Sequence, residues 1–199
     1  MTCENKENKK CVYLTVLSSD SFLPGVIILY ESLKKHSSME FIVLCQSSLS
    51  NETFAVLNRL NINHIVKNND VLPEDIINAS ENERHNKFGF WQNTFFKLKM
   101  FELNEYDKIC YLDSDMIVDA NIDNLFDCRH MSAVADSDFY IKSTNSLNSG
   151  LLVFEPKKLK QMILLLQLRK CGTKDHGPMV TRMLFLLIIT IGLMKMIYI

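Results

Sequence analysis

The sequence has no Cys-x-x-Cys pair: its six cysteines are scattered at positions 3, 11, 45, 110, 128 and 171. Cys45 and Cys110 lie inside apolar, strand-like runs. This is the usage of buried free thiols in a reducing, cytoplasmic setting, and it argues against a disulfide framework or a zinc site. Charge of one sign is also lacking, the net being −1, so there is no electrostatic case for nucleic acid or for an anionic membrane surface. Residues 1–10 are polar and charged, with no apolar stretch of the kind a secretory signal needs. No G-x-G-x-x-G follows the first strand-like run, and G-x-x-x-x-G-K-[ST] and G-x-S-x-G are absent. A dinucleotide cofactor, a P-loop and an α/β-hydrolase nucleophile are therefore not indicated. No internal repeat is found. Apolar residues at 47% and charged residues at 23% over 199 positions are ordinary globular values, enough for one domain with a proper core.

What is present centres on Ile109-Cys110-Tyr111-Leu112-Asp113-Ser114-Asp115-Met116-Ile117-Val118. A short apolar run fits a strand buried on both faces. Continued as an extended chain, it would aim the side chains of Asp113 and Asp115 to one side. Two carboxylates brought that close call for a cation, and hard oxygen ligands suit Mg2+ or Mn2+. In an open α/β sheet, ligands gather at the carboxyl ends of strands. Two solvated aspartates in a loop give the same dipeptide spacing, so the flanking sequence has to decide.

The flanks alternate. Residues 12–17 are β-rich, and Pro24 fits the first turn of a helix carried on by Val26, Ile27, Leu29, Tyr30 and Leu33. Residues 41–45 form a second strand. Ser50 suits the N-cap of a helix through Leu60, and residues 64–67 form a third strand. This β-α-β-α-β opening predicts a parallel sheet with helices on both faces. Residues 68–92 read as a long polar loop holding His85 and Trp91, a solvated histidine and a packing residue by default. Residues 94–103 read as a helix with Phe96, Met100 and Leu103 as its apolar stripe. Lys97 lies off that stripe and by position alone is a solvated lysine. Residues 133–135 are a short apolar piece. Asn148-Ser149-Gly150 leads into a strand over 151–154, and a helix is expected over 157–169.

Taken together, these stretches resemble the family 8 glycosyltransferases, the glycogenin and galactinol synthase group. The matching pieces run Leu14-Thr15-Val16-Leu17-Ser18-Ser19-Asp20-Ser21-Phe22 with Gly25 and Ser32-Leu33, then Phe96-Lys97-Leu98 and Tyr106-Asp107-Lys108. Tyr111-Leu112-Asp113-Ser114-Asp115, Asn121-Ile122-Asp123-Asn124-Leu125-Phe126, Asn148-Ser149-Gly150 and Val153-Phe154 follow in order, covering roughly residues 11–170. The resemblance implies an α/β GT-A, Rossmann-like nucleotide-diphospho-sugar transferase fold and retaining transfer of a hexose from a UDP-sugar, UDP-glucose or UDP-galactose. It implies that Leu17, Ser18, Ser19 and Phe22 contact the uridine, and that Asp113 and Asp115, with Ser114 between them, hold Mn2+ or Mg2+ against the diphosphate. Lys97 would meet phosphate or sugar, and Asn148 and Ser149 would face the sugar. The acceptor, carbohydrate, lipid or protein, is left open, and a homodimer is compatible with the family.

One departure is visible. After Gly172 the family expects Asp-Gln, and later a His-x-x-Gly-x-x-Lys-Pro-Trp element supplying a third metal ligand; neither occurs. Residues 183–199 are almost wholly apolar, with Lys195 the only charge. Residues 1–177 thus read as the nucleotide-sugar domain, incomplete at its C-terminus, and 178–199 as an aberrant tail. A membrane anchor and a helix lying on the core are two accounts of that tail. The account favoured on sequence is a shifted reading frame: Met-Val-Thr-Arg-Met at 179–183 can be encoded ATG-GTG-ACC-AGG-ATG, one choice of codons that in the neighbouring frame spells Gly-Asp-Gln-Asp. Two other classes stay open. One is a UDP-sugar-binding fragment without turnover. The other is a haloacid-dehalogenase-type phosphatase, which also sets Asp-x-Asp after an apolar strand, but near the N-terminus and with Thr or Val where Ile117 stands.

Overall fold

In β1, Cys11–Leu17, successive side chains enter two different cores, and every other central strand repeats the pattern. The computed structural model describes residues 9–69, 96–135 and 147–158. The order is β1, α1 (Leu23–Lys34), β2 (Phe41–Gln46), α2 (Asn51–Arg59), β3 (Asn63–Lys67), β4 (Lys108–Leu112), β5 (Ser132–Ala135) and β6 (Leu147–Phe154). Among the described residues these strands form one six-stranded sheet in the order β3-β2-β1-β4-β6-β5. β1, β2, β3 and β4 are mutually parallel, while β6 runs antiparallel to both β4 and β5. The chain winds outward from β1 to β3, then returns to place β4 on β1's other side. The crevice between the carboxyl ends of β1 and β4 is therefore a topological switch point.

The alternation of buried residues explains the layers. Tyr13 and Leu17 of β1, Val43 and Cys45 of β2, and Cys110 and Leu112 of β4 pack with Val26, Leu29 and Leu33 of α1 and Leu57 of α2. Val12, Leu14, Ile42, Leu44, Ile109 and Tyr111 point the other way, onto Phe96, Met100, Leu103 and Tyr106. Burial lifts the Cys45 and Cys110 thiols to about 12, so both are inert packing groups. Among the described residues the cysteines are free thiols.

Most expected elements stand where the sequence put them. Ser50 caps α2, its hydroxyl accepting from the Thr53 amide at 3.2 Å. Four expectations are corrected. The sheet is mixed rather than parallel, and α1 and α2 share one of its faces while the segment with Phe96 and Met100 covers the other. The segment carrying Lys97 is a 3-10 helix, Phe96–Glu102, over its described part. Asn148-Ser149-Gly150 does not precede the last strand but lies inside it, because β6 starts at Leu147 to pair with β5, Val134 facing Asn148 across a register shift. And β4 stops at Leu112, so Asp113 and Asp115 are not on an extended chain: the Met116 amide donates to the Asp113 carbonyl at 3.2 Å and closes a turn. The expected loop with His85 and Trp91, most of the helix expected over 157–169, and the tail at 178–199 lie outside the described residues. Among the described residues no helix is long and apolar enough to cross a membrane.

After the turn, residues 114–123 are fastened along α1. The Ser32 hydroxyl accepts from the Val118 amide at 3.1 Å, and Asn121 Nδ2 donates to the His36 carbonyl at 2.7 Å. Asp123 closes the clamp. Its Oδ1 accepts from Tyr13 Oη at 2.8 Å and Ser37 Oγ at 2.6 Å, and its Oδ2 from Asn121 Nδ2 at 3.0 Å. Burial pushes this carboxyl up, but the three donors outweigh it and hold it below its ordinary 3.8. A carboxyl depressed by folding stabilises fully above the unfolded value and loses that contribution as pH falls through the folded one. Asp123→Asn is therefore expected to cost about 2 kcal/mol at pH 7, with the gap to wild type shrinking as pH falls below the ordinary 3.8 and through the depressed folded value. Paired melts over that descent check it; a gap that stays constant contradicts the clamp.

Candidate active site at the switch point

Asp113 sits one residue past β4, and almost every polar atom it owns is assigned. Its amide donates to the Gly150 carbonyl of β6 at 2.8 Å, and its carbonyl takes the Met116 amide. Its Oδ1 accepts from Lys97 Nζ at 3.0 Å and from the Tyr111 hydroxyl. Oδ2 has no hydrogen-bond partner among the described residues. Asp115, exposed on the same turn, has none either.

Lys97 is the hub. Its side chain is 12% exposed, and its three donors reach Asp113 Oδ1, the Ser149 carbonyl at 2.7 Å and, more loosely, Ser149 Oγ at 3.4 Å. The ammonium also stands over the Tyr111 ring, 4.1 Å from its centroid. Burial draws its pKa down, while the charges of Asp113 and Asp115 oppose the shift. The solvated-lysine expectation fails, because the ammonium is buried against Asp113 and Ser149. Tyr111, fully buried, has its hydroxyl pushed well above the ordinary tyrosine range, first by burial and then by the Asp113 charge, so it stays protonated and donates.

The loop after β1 forms the facing wall. Its position is set by Asp20, whose Oδ1 accepts from the Ser50 amide at 3.1 Å, Ser50 Oγ at 3.1 Å and Thr53 Oγ1 at 2.6 Å, tying the loop to the N-terminus of α2. The Ser19 hydroxyl is used locally, accepting from the Ser21 amide at 3.4 Å and paired with Ser21 Oγ at 3.0 Å. Ser18 is half-buried with no side-chain hydrogen bond among the described residues, and Phe22 is 47% exposed. Leu17 is wholly buried in the core. The two walls touch at Gly25, where a Cβ would lie 2.4 Å from the Ser114 carbonyl oxygen. Lys97, Asp113 and Ser149 are thus in contact, with Asp115 on the same turn. Asn148 is placed only as a backbone position in β6, its side chain lying outside the description. Sequence reasoning missed Tyr111 as a site residue. The signal was available, since Tyr111 and Asp113 are two apart at the end of a strand.

As a cation site the donor set is small: among the described residues no group of three His, Cys, Asp or Glu side chains converges. Two carboxylates, one with a free oxygen and one exposed, fit Mn2+ or Mg2+ of the kind that completes its shell with substrate phosphate and water. They do not make an all-protein cage.

The model of glycosyl transferase family 8 matches residues 13–191 of the chain. Inositol phosphorylceramide glucuronosyltransferase 1 of Arabidopsis thaliana is 32% identical over 154 residues, 76% of this chain and 26% of that protein. Glycogenin-1 of Homo sapiens is 26% identical over 171 residues, 83% of this chain and 45% of that protein. The chain thus spans less than half the length of these curated relatives. Among solved structures, galactosyltransferase LgtC in complex with donor and acceptor sugar analogues superposes with a TM-score of 0.55 at 19% identity, covering 75% of this chain and 59% of that one. That likeness establishes a GT-A, Rossmann-like fold.

Proposed function

The chain belongs to glycosyl transferase family 8, and on that footing we propose that it takes a hexose from a UDP-sugar and transfers it, with retention of configuration, to an acceptor. The observation that carries this reading is the Lys97 ammonium held between the Asp113 carboxylate and Ser149 at the switch point. On this reading Ser18, Ser19, Phe22 and the Leu17 backbone receive the uridine, with Phe22 as a stacking surface. Asp113 and Asp115 hold Mn2+ or Mg2+, with the Ser114 backbone between them. A bound divalent cation would supply charge neutralisation for the leaving nucleoside diphosphate. Lys97 adds a second positive charge fixed before reaction, so no reorganisation is needed as negative charge builds. Asn148 and Ser149 orient the sugar. The buried thiols Cys45 and Cys110 support a cytoplasmic setting. The phosphatase alternative falls with the family assignment; binding without turnover is the remaining second reading.

UDP release from UDP-glucose, UDP-galactose and UDP-glucuronate, the last prompted by the names of the plant relatives, tests the proposal. Mn2+-dependent release from at least one donor is expected. Tight UDP binding with no release from any donor leaves the non-catalytic reading, and no UDP binding at all removes both.

A further inference from the structure

Tyr111 raises a question that core packing does not answer. Its ring belongs to the apolar cluster of Leu14, Ile109, Phe96 and Leu152, where phenylalanine would fill the same space. The hydroxyl is an extra polar group in a fully buried position and must find an acceptor. The acceptor it finds is a carboxylate 39% exposed in its side chain, facing the cleft, rather than a backbone carbonyl of the sheet.

The hydroxyl and Lys97 converge on the same oxygen. Asp113 Oδ1 takes both donors, the amide and carbonyl of Asp113 are fixed by Gly150 and Met116, and only Oδ2 is left without a partner among the described residues. Two donors on one oxygen set the rotation of a carboxylate more tightly than one can, and they separate its oxygens into one held and one presented. We propose that Tyr111 is a positioning residue: through its hydroxyl, together with Lys97, it holds Asp113 Oδ1 so that Oδ2 alone is offered to the cation. The inference rests on the reading of Asp113 as a metal ligand. It adds a group that does not itself touch cation or donor, and it assigns the two oxygens different tasks.

Tyr111→Phe keeps the ring beneath Lys97 and removes only the hydroxyl. Mn2+ binding by the 199-residue chain in saturating UDP is followed by the paramagnetic resonance signal of free Mn2+. Losing an outer partner of a metal ligand costs roughly 10- to 100-fold in affinity. The expected result is a Mn2+ Kd raised at least about tenfold, with residual UDP binding in EDTA unchanged and the metal-free melting temperature lowered by no more than a few degrees, the loss of one hydrogen bond. A merely structural hydroxyl would lower the melting temperature and leave the Mn2+ Kd unchanged. Equal Mn2+ affinity in the variant overturns the positioning role alone. A wild-type chain that binds no Mn2+ overturns the metal-site reading and this inference with it. Should Tyr111→Phe fail to fold, a crystal structure of the wild-type Mn2+–UDP complex decides. Coordination through Oδ2 with Tyr111 still on Oδ1 supports the proposal, and coordination through Oδ1 or through both oxygens overturns it.

Discussion

Gly25→Ala is expected to destabilise the protein and to weaken metal-dependent UDP binding about tenfold or more, although helix propensity argues for the opposite sign. Gly25 lies in the first turn of α1, where alanine is favoured over glycine by about 1 kcal/mol. Against this, the new Cβ would sit 2.4 Å from the Ser114 carbonyl oxygen and 3.3 Å from its carbon. A backbone carbonyl has no rotamer to escape into, and this one is braced by the Asp113–Met116 turn on one side and by Ser32 holding Val118 on the other. Overpacking of this kind costs roughly 1–3 kcal/mol, so sterics offset the propensity gain and exceed it. The turn that must yield carries both aspartates, so binding suffers more than stability. Thermal melts and UDP titrations of the variant check both parts. A more stable protein with intact binding would show that the contact between the two walls of the cleft has no functional weight.

The Asp-x-Asp pair is expected to respond asymmetrically to neutralisation. Asp113→Asn and Asp115→Asn should each abolish Mn2+-dependent UDP binding, a loss larger than the roughly 10- to 100-fold cost of disturbing an outer partner. Their effects on folding should differ. Asp115 is exposed and bonds to nothing among the described residues, so its replacement should stay within about 0.5 kcal/mol. Asp113 faces a buried ammonium whose other partner is neutral Ser149. Removing its charge leaves Lys97 under-compensated, a change costing several kcal/mol at a fully buried pair. The side chain of Asp113 is 39% exposed, so screening cuts this to about 1–2 kcal/mol. Denaturant titrations of the two variants in EDTA read the difference; equal stabilities would mean that Lys97 draws nothing from Asp113.

The sheet was legible because its signal is periodic and redundant: strands β1, β2 and β4 bury both faces, and Ser50 and Pro24 mark helix starts by chemistry that needs no tertiary context. Lys97 was legible only through the resemblance. Read at α-helical spacing it falls off the apolar stripe, but in a 3-10 helix residues three apart eclipse. Lys97 then shares a face with Met100, which is buried. The Asp-x-Asp geometry was misjudged for a related reason. The apolar run does not announce where β4 ends; that is set by β6, whose last pair with β4 is Leu151 opposite Leu112, beyond which Ser114 and Asp115 are free to turn. The stretch 121–126 matched the family pattern without suggesting its job. Its role as a clamp on Tyr13, His36 and Ser37 depends on partners some 85 to 110 residues away, which no local pattern reveals.

The central claim is that Asp113 and Asp115 form a cation-bridged nucleoside-diphosphate site at the β1/β4 switch point. Calorimetric titration of UDP into the wild-type chain, with Mn2+ and then with EDTA, tests it most directly. The account predicts saturable binding with Mn2+ and at least about tenfold weaker binding without it, since one lost charge-assisted contact already amounts to about 1.5–3 kcal/mol. UDP that binds equally tightly in EDTA would contradict it.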